Sequence, residues 1–329
     1  MTIYRNISEI DIKKWRQLLD NSPIASFFQT PECCELYASM SFLDPFVFAV
    51  SENEKLVGLA CGYIIADGGK VKQFFSRRAI IQGGFLLDDN ISETALQLLL
   101  KTCIDELNKK AIYIETRNGL NYSKFRSVFE KNGFSYQPYL NFHVKTQNTE
   151  SAYKQLSSTK RRDVKISEKM GAEIVELTLR YEISEFYRIL QDLYKTKIRV
   201  PLFPYEFFEK FISFEGNKIF GIKYYGKIIG GSVCTYWNDV VYQWFVCGKD
   251  GEFKNIFPST LATWSSVLYA VDNDCKYLDM LGAGKPNEDY GVREFKAKFG
   301  GELVEYGRFL YICNDFLYRI GKFYIEKMK

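Results

Sequence analysis

The chain has 329 residues, of which 47% are hydrophobic and 26% charged, and its formal net charge is +4. This composition is typical of a globular protein and excludes a disordered tail, a collagen-like fibre and a disulfide-stapled miniprotein. The small positive excess predicts no general affinity for DNA, so an anion site should be a local patch. At about 150 residues per domain, the length fits two domains or one large one.

The cysteines and the N-terminus indicate the compartment. The chain has 8 cysteines and 1 histidine, with no CxxC pair and no zinc-ligand spacing. Free thiols in a reducing compartment and no metal are therefore expected. The start, MTIYRNISEIDIKKW, lacks the apolar run of a signal peptide. No apolar stretch reaches the roughly 18 residues that a membrane span needs. We expect a cytoplasmic protein.

The first half alternates helical and strand patterns. Two helices are predicted first, one after Ser8 and one opened by Thr30 and Pro31. A β-hairpin follows, with its turn at residues 52–54, and VKQFF and AIIQGGFLL are the next strands. Ser92 then caps a long amphipathic helix. The half closes with a strand (AIYIET), a helix ended by Gly133 and a strand pair (FSYQPYLNFHV).

The second half repeats this order. Hairpin turns lie near residues 53 and 226, later strands near 113 and 277, and helix-ending glycines at 133 and 300. A nearly constant offset over elements of matching type indicates an internal duplication of an α/β module. We predict an N-terminal domain over 1–148 and a C-terminal domain over 149–329, the latter with a helical insert at 149–215.

The order of hairpin, third strand, long helix, strand, helix and strand resembles the GNAT fold of N-acetyltransferases. Two such modules in tandem resemble the FemAB-like peptidyltransferases and the BioF2-like acyl-CoA transferases grouped with them. The resemblance implies an α/β fold of two tandem GNAT-like modules, each a mixed, mostly antiparallel sheet flanked by helices. It is carried by FFQTPECCELY (27–37), SSTKRRDVKISEKMGAEI (157–174), LYKTKIRV (193–200) and GVREFKAKFGGELVEY (291–306).

The basic helix of the second string is a candidate anion site. Arg161, Lys165 and Lys169 form one row at a spacing of four, and Arg162 lies on a neighbouring row. Such a row can bind a polyphosphate, namely the CoA phosphates, a sugar-nucleotide diphosphate or tRNA. A solvated helix face balanced by acidic neighbours has the same pattern. We expect the double change of Arg161 and Arg162 to alanine to weaken anion binding while folding survives.

The pair Phe295–Lys296 lies in the fourth string. The resemblance implies a functional lysine at this FK position, where a fixed ammonium would stabilise the oxyanion of acyl transfer. Taken alone, the pattern is that of an exposed lysine on an amphipathic helix. Lys296→Met should then change stability by less than ~1 kcal/mol. Lys298 faces elsewhere on the helix.

Two segments are candidates for binding the acyl donor. Tyr194, Thr196 and Arg199 place hydroxyls near a guanidinium, which suits a phosphate or carboxylate, although a helix C-terminus with cations has the same pattern. The GNAT resemblance implies a pyrophosphate site before the long helix, here at Ser259 and Thr260. Neither copy has the glycine-rich loop of that site.

Asp279 and Tyr290 flank the segment 282–286, which follows a predicted strand. GAGKP lacks the spacing of a Walker motif and is predicted to be a flexible loop. A carboxylate or a phenol there can act as general base or acid toward an amine. His143 lies in a strand pattern and is predicted to be structural.

Three functions fit these features. The first is an N-acyltransferase that moves an acyl group from acyl-CoA, the expected cofactor, to an amine. Its acceptor would be an amino sugar or another cell-envelope precursor, either a sugar nucleotide or lipid-linked. The second is an aminoacyl-tRNA-dependent transferase that builds peptidoglycan cross-bridges. The third is a GNAT-like binding protein without catalysis. The C-terminal segment FLYRIGKFYIEKMK is predicted to pack on its domain, with membrane-surface contact as the alternative.

Overall fold

The computed structural model describes residues 1–69, 73, 75–198 and 201–328, and only the backbone of 324–328. The chain forms two compact units. Unit 1 comprises Met1–Pro138 and Tyr306–Lys329, and unit 2 comprises Tyr139–Glu305. No helix within these described ranges is long and apolar enough to cross a membrane.

The first half of the chain follows the predicted order of elements, although most of VKQFF lies outside the described residues. Its helices are α1 (Ile12–Asn21), α2 (Pro31–Ser39), α3 (Glu93–Leu107) and α4 (Arg126–Lys131). Its strands are β1 (Thr2–Tyr4), β2 (Asp44–Glu52), β3 (Lys55–Ile65), β4 (Arg78–Gly83), β5 (Leu86–Leu87), β6 (Tyr113–Asn118), β7 (Ser135–Gln137) and β8 (Leu140–Lys145).

The second half adds seven helices and seven strands to the described chain. Its helices are α5 (Thr149–Gln155), α6 (Ser158–Lys169), α7 (Arg180–Leu193), α8 (Tyr205–Phe211), α9 (Pro258–Asp272), α10 (Gly291–Ala297) and α11 (Asp315–Met328). Its strands are β9 (Glu173–Glu176), β10 (Asn217–Tyr224), β11 (Lys227–Trp237), β12 (Val240–Gly248), β13 (Tyr277–Asp279), β14 (Glu302–Glu305) and β15 (Arg308–Ile312).

Local chemistry explains the helix starts and the hairpins. The Thr30 hydroxyl accepts a hydrogen bond from the Cys33 amide at the start of α2, and Ser92 caps α3 in the same way. At the turn between β2 and β3, Asn53 and Glu54 both have positive φ, of 47° and 66°. The turn before β11 likewise has two residues with positive φ. Two such residues form the tight turn that matches strand twist, which confirms both predicted hairpins.

Both sheets have the same pattern of strand directions. Sheet 1 has the order β1-β2-β3-β4-β6-β15-β7, with β5 also paired to β3. Sheet 2 has the order β14-β8-β13-β12-β11-β10-β9. In each sheet one central pair is parallel, β4 with β6 and β12 with β13, and the other described pairs are antiparallel. The long helices α3 and α9 contribute to the two cores. The predicted fold class and the duplication are confirmed.

Each unit includes a strand from the other half of the sequence. β15 lies between β6 and β7 in sheet 1, and β8 lies between β13 and β14 in sheet 2. The compact units therefore differ from the continuous domains 1–148 and 149–329 predicted from the sequence. The difference arises because β8 and β15 occupy equivalent places in the repeat and are exchanged.

The predicted insert 149–215 is helical, except that β9 pairs with β10 at the edge of sheet 2 and a π-helix spans Tyr194–Ile198. The prediction of free thiols is wrong for one pair. Cys34 of α2 and Cys61 of β3 form a disulfide, because α2 packs on this strand. The other cysteines are free.

Candidate functional site in unit 2

The two parallel strands of sheet 2 separate at Asp279. β13 pairs with β12 over only three positions, of which the last joins Tyr242 and Asp279. β12 continues to Gly248 beside β11. Residues 280–290 leave the sheet at this point and lead into α10. The separation leaves part of β12 unpaired on this side, next to the loop 280–290, whose main-chain carbonyls bind side chains of α10.

Lys296 on α10 reaches back to this loop. The residue is 8% exposed, so the surface position predicted from the sequence is wrong. Its Nζ donates hydrogen bonds to the main-chain oxygens of Met280 and Gly282, the latter at 2.7 Å. Burial lowers the pKa of Lys296 to about 8, and Asp279 opposes this shift. An ammonium has three donors, so one N–H is left without a partner among the described residues.

Asp279 fixes the start of the same loop. Its Oδ1 accepts hydrogen bonds from Leu281 N and from Asn141 Nδ2, both at 2.7 Å. Its Oδ2 lies 3.3 Å from His143 Nε2, and the His143 ring stacks on Tyr277. Asp279 and His143 are register partners on β13 and β8. Because Oδ1 accepts from both Leu281 and Asn141, the carboxylate ties the start of the loop to β8.

Arg293, one turn before Lys296, also binds the loop. Its guanidinium donates to the main-chain oxygens of Ala283 at 2.9 Å, Pro286 at 3.4 Å and Lys285. The two cations of α10 thus satisfy carbonyls along most of residues 280–286. The segment that the sequence predicted to be flexible is tied down by hydrogen bonds.

A second buried lysine connects α6 with α9 and α10. Lys160 Nζ donates to Thr260 Oγ1 at 2.6 Å and lies 4.3 Å from the centre of the Phe295 ring. Burial lowers the pKa of Lys160, and the carboxylates of Asp163 and Asp250 oppose this shift. Thr260 and Phe295, both predicted as site residues, are brought together by a lysine that the sequence analysis did not select.

The first amides of α9 make hydrogen bonds within the protein, and these contacts bear on the predicted pyrophosphate site. The Ser259 amide donates to the Asp250 carboxylate at 3.1 Å, and the Thr260 and Leu261 amides donate to Phe257 O. A phosphate at this helix end would compete with these internal acceptors and would face the negative charge of Asp250. The predicted role of Ser259 and Thr260 in holding CoA is therefore not supported by their contacts.

The predicted segment at the end of α7 is only partly assembled. Tyr194 is half-buried, and burial raises its pKa, to which Tyr290 adds through its electrostatic interaction. Thr196 donates its hydroxyl to Asp192 O at 2.7 Å and is exposed. Arg199 lies outside the described residues. Of the predicted site residues, Tyr194 and Tyr290 thus interact with each other electrostatically.

The basic row of α6 is divided between structural and exposed positions. Arg161 donates to the main-chain oxygens of Lys154 and Leu156, both at 2.9 Å, at the C-terminal end of α5. Arg162 is exposed and bonds Asp163 at 3.1 Å, and Lys165 is exposed. Arg161 is therefore engaged in packing α5 on α6, and the row does not present three equivalent cations.

We expect Arg161→Ala to destabilise the protein by about 1–2 kcal/mol, because two carbonyls lose a charged donor. Arg162→Ala should stay within about 0.5 kcal/mol, as for other surface positions. Urea denaturation of both single variants measures this difference. Equal midpoints would contradict the structural role of Arg161.

Sequence reasoning missed Lys160, Asn141 and Arg293 as contributors, and it treated His143 as a structural strand residue. A signal for Lys160 existed, since it shares the buried face of α6 with Val164 and Ser167. His143 and Asn141 act through strand register with Asp279, and register between distant strands is not readable from one sequence.

The fold and the site define a protein of tandem GNAT architecture. The model of the FemAB family matches residues 221–325. FemX is similar in structure, with a TM-score of 0.71 at 14% identity, covering 97% of this chain and 99% of that one. L-PGS from Bacillus licheniformis has a TM-score of 0.57 at 11% identity over 95% and 96% of the two chains.

A tandem GNAT protein from the clavulanic acid biosynthesis pathway has a TM-score of 0.56 at 11% identity, covering 95% of this chain and 98% of that one. No curated protein matches the sequence significantly. The FemAB match is confined to the C-terminal part of the chain, and the structural similarity shows the tandem GNAT fold that the sequence strings predicted.

Proposed function

We propose that the chain transfers an acyl group from an activated ester to a primary amine, and that unit 2 carries the reaction. The observation that supports this most is Lys296, a buried ammonium at the separation of β12 and β13 with one N–H left over. Attack of an amine on an ester carbonyl forms a tetrahedral oxyanion, and its collapse breaks the acyl C–O bond and releases the alcohol, which takes up the proton that the amine loses. A donor whose position is already fixed stabilises this charge as it develops.

The contacts of Lys296 suit such a role. The oxygens of Met280 and Gly282 orient the ammonium before substrate binds, so no reorganisation is needed during reaction. A pKa of about 8 leaves most of the lysine protonated at pH 7. Asp279 and Arg293 act as positioning residues, because both hold the loop that supplies the two carbonyls.

We propose an aminoacyl ester of tRNA as the donor and an amine of a peptidoglycan precursor as the acceptor, in the cytoplasm. The FemAB match and the similarity to FemX support this choice. The contact of Ser259 with Asp250 weighs against acyl-CoA, which the sequence analysis placed first. An amino sugar or another envelope precursor is the alternative acceptor that the test includes.

The donor test compares aminoacyl-tRNA with acetyl-CoA. We expect purified protein to move a radiolabelled amino acid from a mixed aminoacyl-tRNA pool to a UDP-linked peptidoglycan precursor, and to move nothing from acetyl-CoA. Acetyl-CoA should also leave the thermal midpoint unchanged, whereas a ligand at about 100 times its Kd stabilises by about 2.7 kcal/mol.

Other outcomes of this test separate the alternatives. Transfer from acetyl-CoA to an amino sugar would keep the acyl-transfer proposal and overturn the donor. Binding of either donor without transfer to any amine would favour a GNAT-like binding protein.

A further inference from the structure

One face of sheet 1 carries polar side chains on three adjacent strands of unit 1. On β4, β6 and β15 the residues facing the core include Ile81, Ile114 and Phe309, so the alternate positions face the other side of the sheet. Arg117 of β6 pairs in register with Arg308 of β15 and with Gln82 of β4. Three polar side chains thus lie side by side across adjacent strands.

One carboxylate stands against two guanidinium groups at this position. Arg117 Nε and Arg308 Nη1 donate to the same oxygen of Glu115, at 2.6 and 3.1 Å. Burial opposes ionisation, yet Arg117 and Arg308 lower the pKa of Glu115 to about 2. Nearby, Asp67 binds Arg78 through both carboxylate oxygens and neutralises it. Arg117 therefore shares its carboxylate partner, Glu115, with Arg308.

Arg117 has free donors that point to a ligand. Only its Nε has a hydrogen-bond partner among the described residues, so Nη1 and Nη2 are available. Its side chain is 36% exposed, although it interacts electrostatically with Tyr37 and Tyr63. The Gln82 amide makes no hydrogen bond to the rest of the described chain. An open guanidinium fork beside an unused amide suits a planar or tetrahedral oxyanion.

We propose that Arg117, with Gln82 beside it, binds the oxyanion of a small ligand in unit 1. The shared chemistry is that of a carboxylate or a phosphate monoester, held by two parallel N–H donors of the guanidinium. Glu115 and Arg308 are positioning residues, because the Glu115 carboxylate holds Nε and is itself held by Arg308. This site is independent of Lys296 and does not depend on the transfer reaction.

The test uses the full chain and two probes, N-acetylglycine for a carboxylate and methyl phosphate for a phosphate. Each is titrated against the wild type, Arg117→Lys and Arg117→Gln by heteronuclear NMR. We expect saturable shifts around β6 with at least one probe. Binding should weaken about ten- to hundredfold in Arg117→Gln, which loses a charged donor. Arg117→Lys should be almost as weak, because a point charge lacks the fork.

The matched control is Arg16→Gln, which removes an equal charge from an exposed ion pair of unit 1. It should bind the probes as the wild type does. The probe that binds more tightly identifies the ligand as carboxylate or phosphate. The proposal is overturned if neither probe binds saturably to the wild type. It is also overturned if Arg117→Lys and Arg117→Gln bind as tightly as Arg16→Gln while their spectra show a folded unit 1.

Discussion

Lys296→Met should lower turnover about 100- to 1000-fold, because it removes a fixed donor to the oxyanion, an effect of about 2.7–4 kcal/mol on the barrier. The loss should appear in kcat rather than in KM, since the interaction forms only in the transition state. Single-turnover transfer from the donor that is active in the donor test measures this effect directly.

The same variant should also be less stable than the sequence predicted. Methionine leaves the oxygens of Met280 and Gly282 without their donor. Unsatisfied buried acceptors cost about 1–3 kcal/mol, whereas a surface position would cost under about 1 kcal/mol. Urea denaturation measures the loss and also establishes that the variant is folded when its activity is assayed.

The stability and the activity of the protein should change in opposite directions with pH, which would distinguish Lys296 from an exposed lysine. Burial lowers its pKa to about 8, whereas the pKa of a lysine in the unfolded chain is about 10.4. Between these values the unfolded chain binds more protons than the folded protein, so this group's contribution to stability rises with pH. Activity should fall over the same range as the ammonium is lost.

Lys298→Met is the matched control, because Lys298 is exposed and lies two residues away on the same segment. It should keep the turnover, the stability and the fall of activity above about pH 8. If Lys298→Met and Lys296→Met have equal turnover at saturating substrate, Lys296 has no special role in transfer.

Local signals in the sequence predicted most of the elements, because their causes are local. The cap of α3 by Ser92 and the positive-φ turn at Asn53 and Glu54 involve residues close in sequence. The duplication followed from repetition of such signals. The environment of Lys296 was mispredicted, because its acceptors lie 14 and 16 residues away on a loop whose path no local pattern specifies.

The exchange of β8 and β15 shows a second limit of the sequence. Both strands follow a helix and a short strand, so their patterns are equivalent in the two halves. Nothing in either pattern states which sheet the strand joins, since a strand can pair with any edge of matching register and hydrophobic face. Only the pairing of β15 with β6 and β7 shows that unit 1 is completed by the C-terminal segment.

Truncating a core side chain of the exchanged strand β15 should strongly destabilise unit 1. Phe309 of β15 is fully buried in the core of unit 1 and stacks on Phe129 with ring centres 4.2 Å apart. Phe309→Ala should destabilise unit 1 by about 3–5 kcal/mol, the usual cost of truncating a core phenylalanine. Neighbouring Leu310→Ala is the control, because Leu310 is only partly buried on the opposite face of β15.

Fragments test the exchange itself. The fragment 1–148 contains the whole predicted N-terminal domain but lacks β15, so β6 and β7 lose their common partner and the core loses Phe309. We expect it to lack a cooperative unfolding transition. The fragment 139–305 contains all of sheet 2, whereas 149–329 lacks β8 between β13 and β14.

The fragment 139–305 should therefore unfold cooperatively, and 149–329 should not, although it is the longer by sequence. Circular dichroism and urea titration of the three fragments measure the outcome. Cooperative folding of both 1–148 and 149–329 would show that each half completes its own sheet, and the exchanged arrangement would then be wrong. Folding of 139–305 alone would show that one short strand of six residues, β8, decides where the unit begins, because it supplies the central partner to β13 and β14.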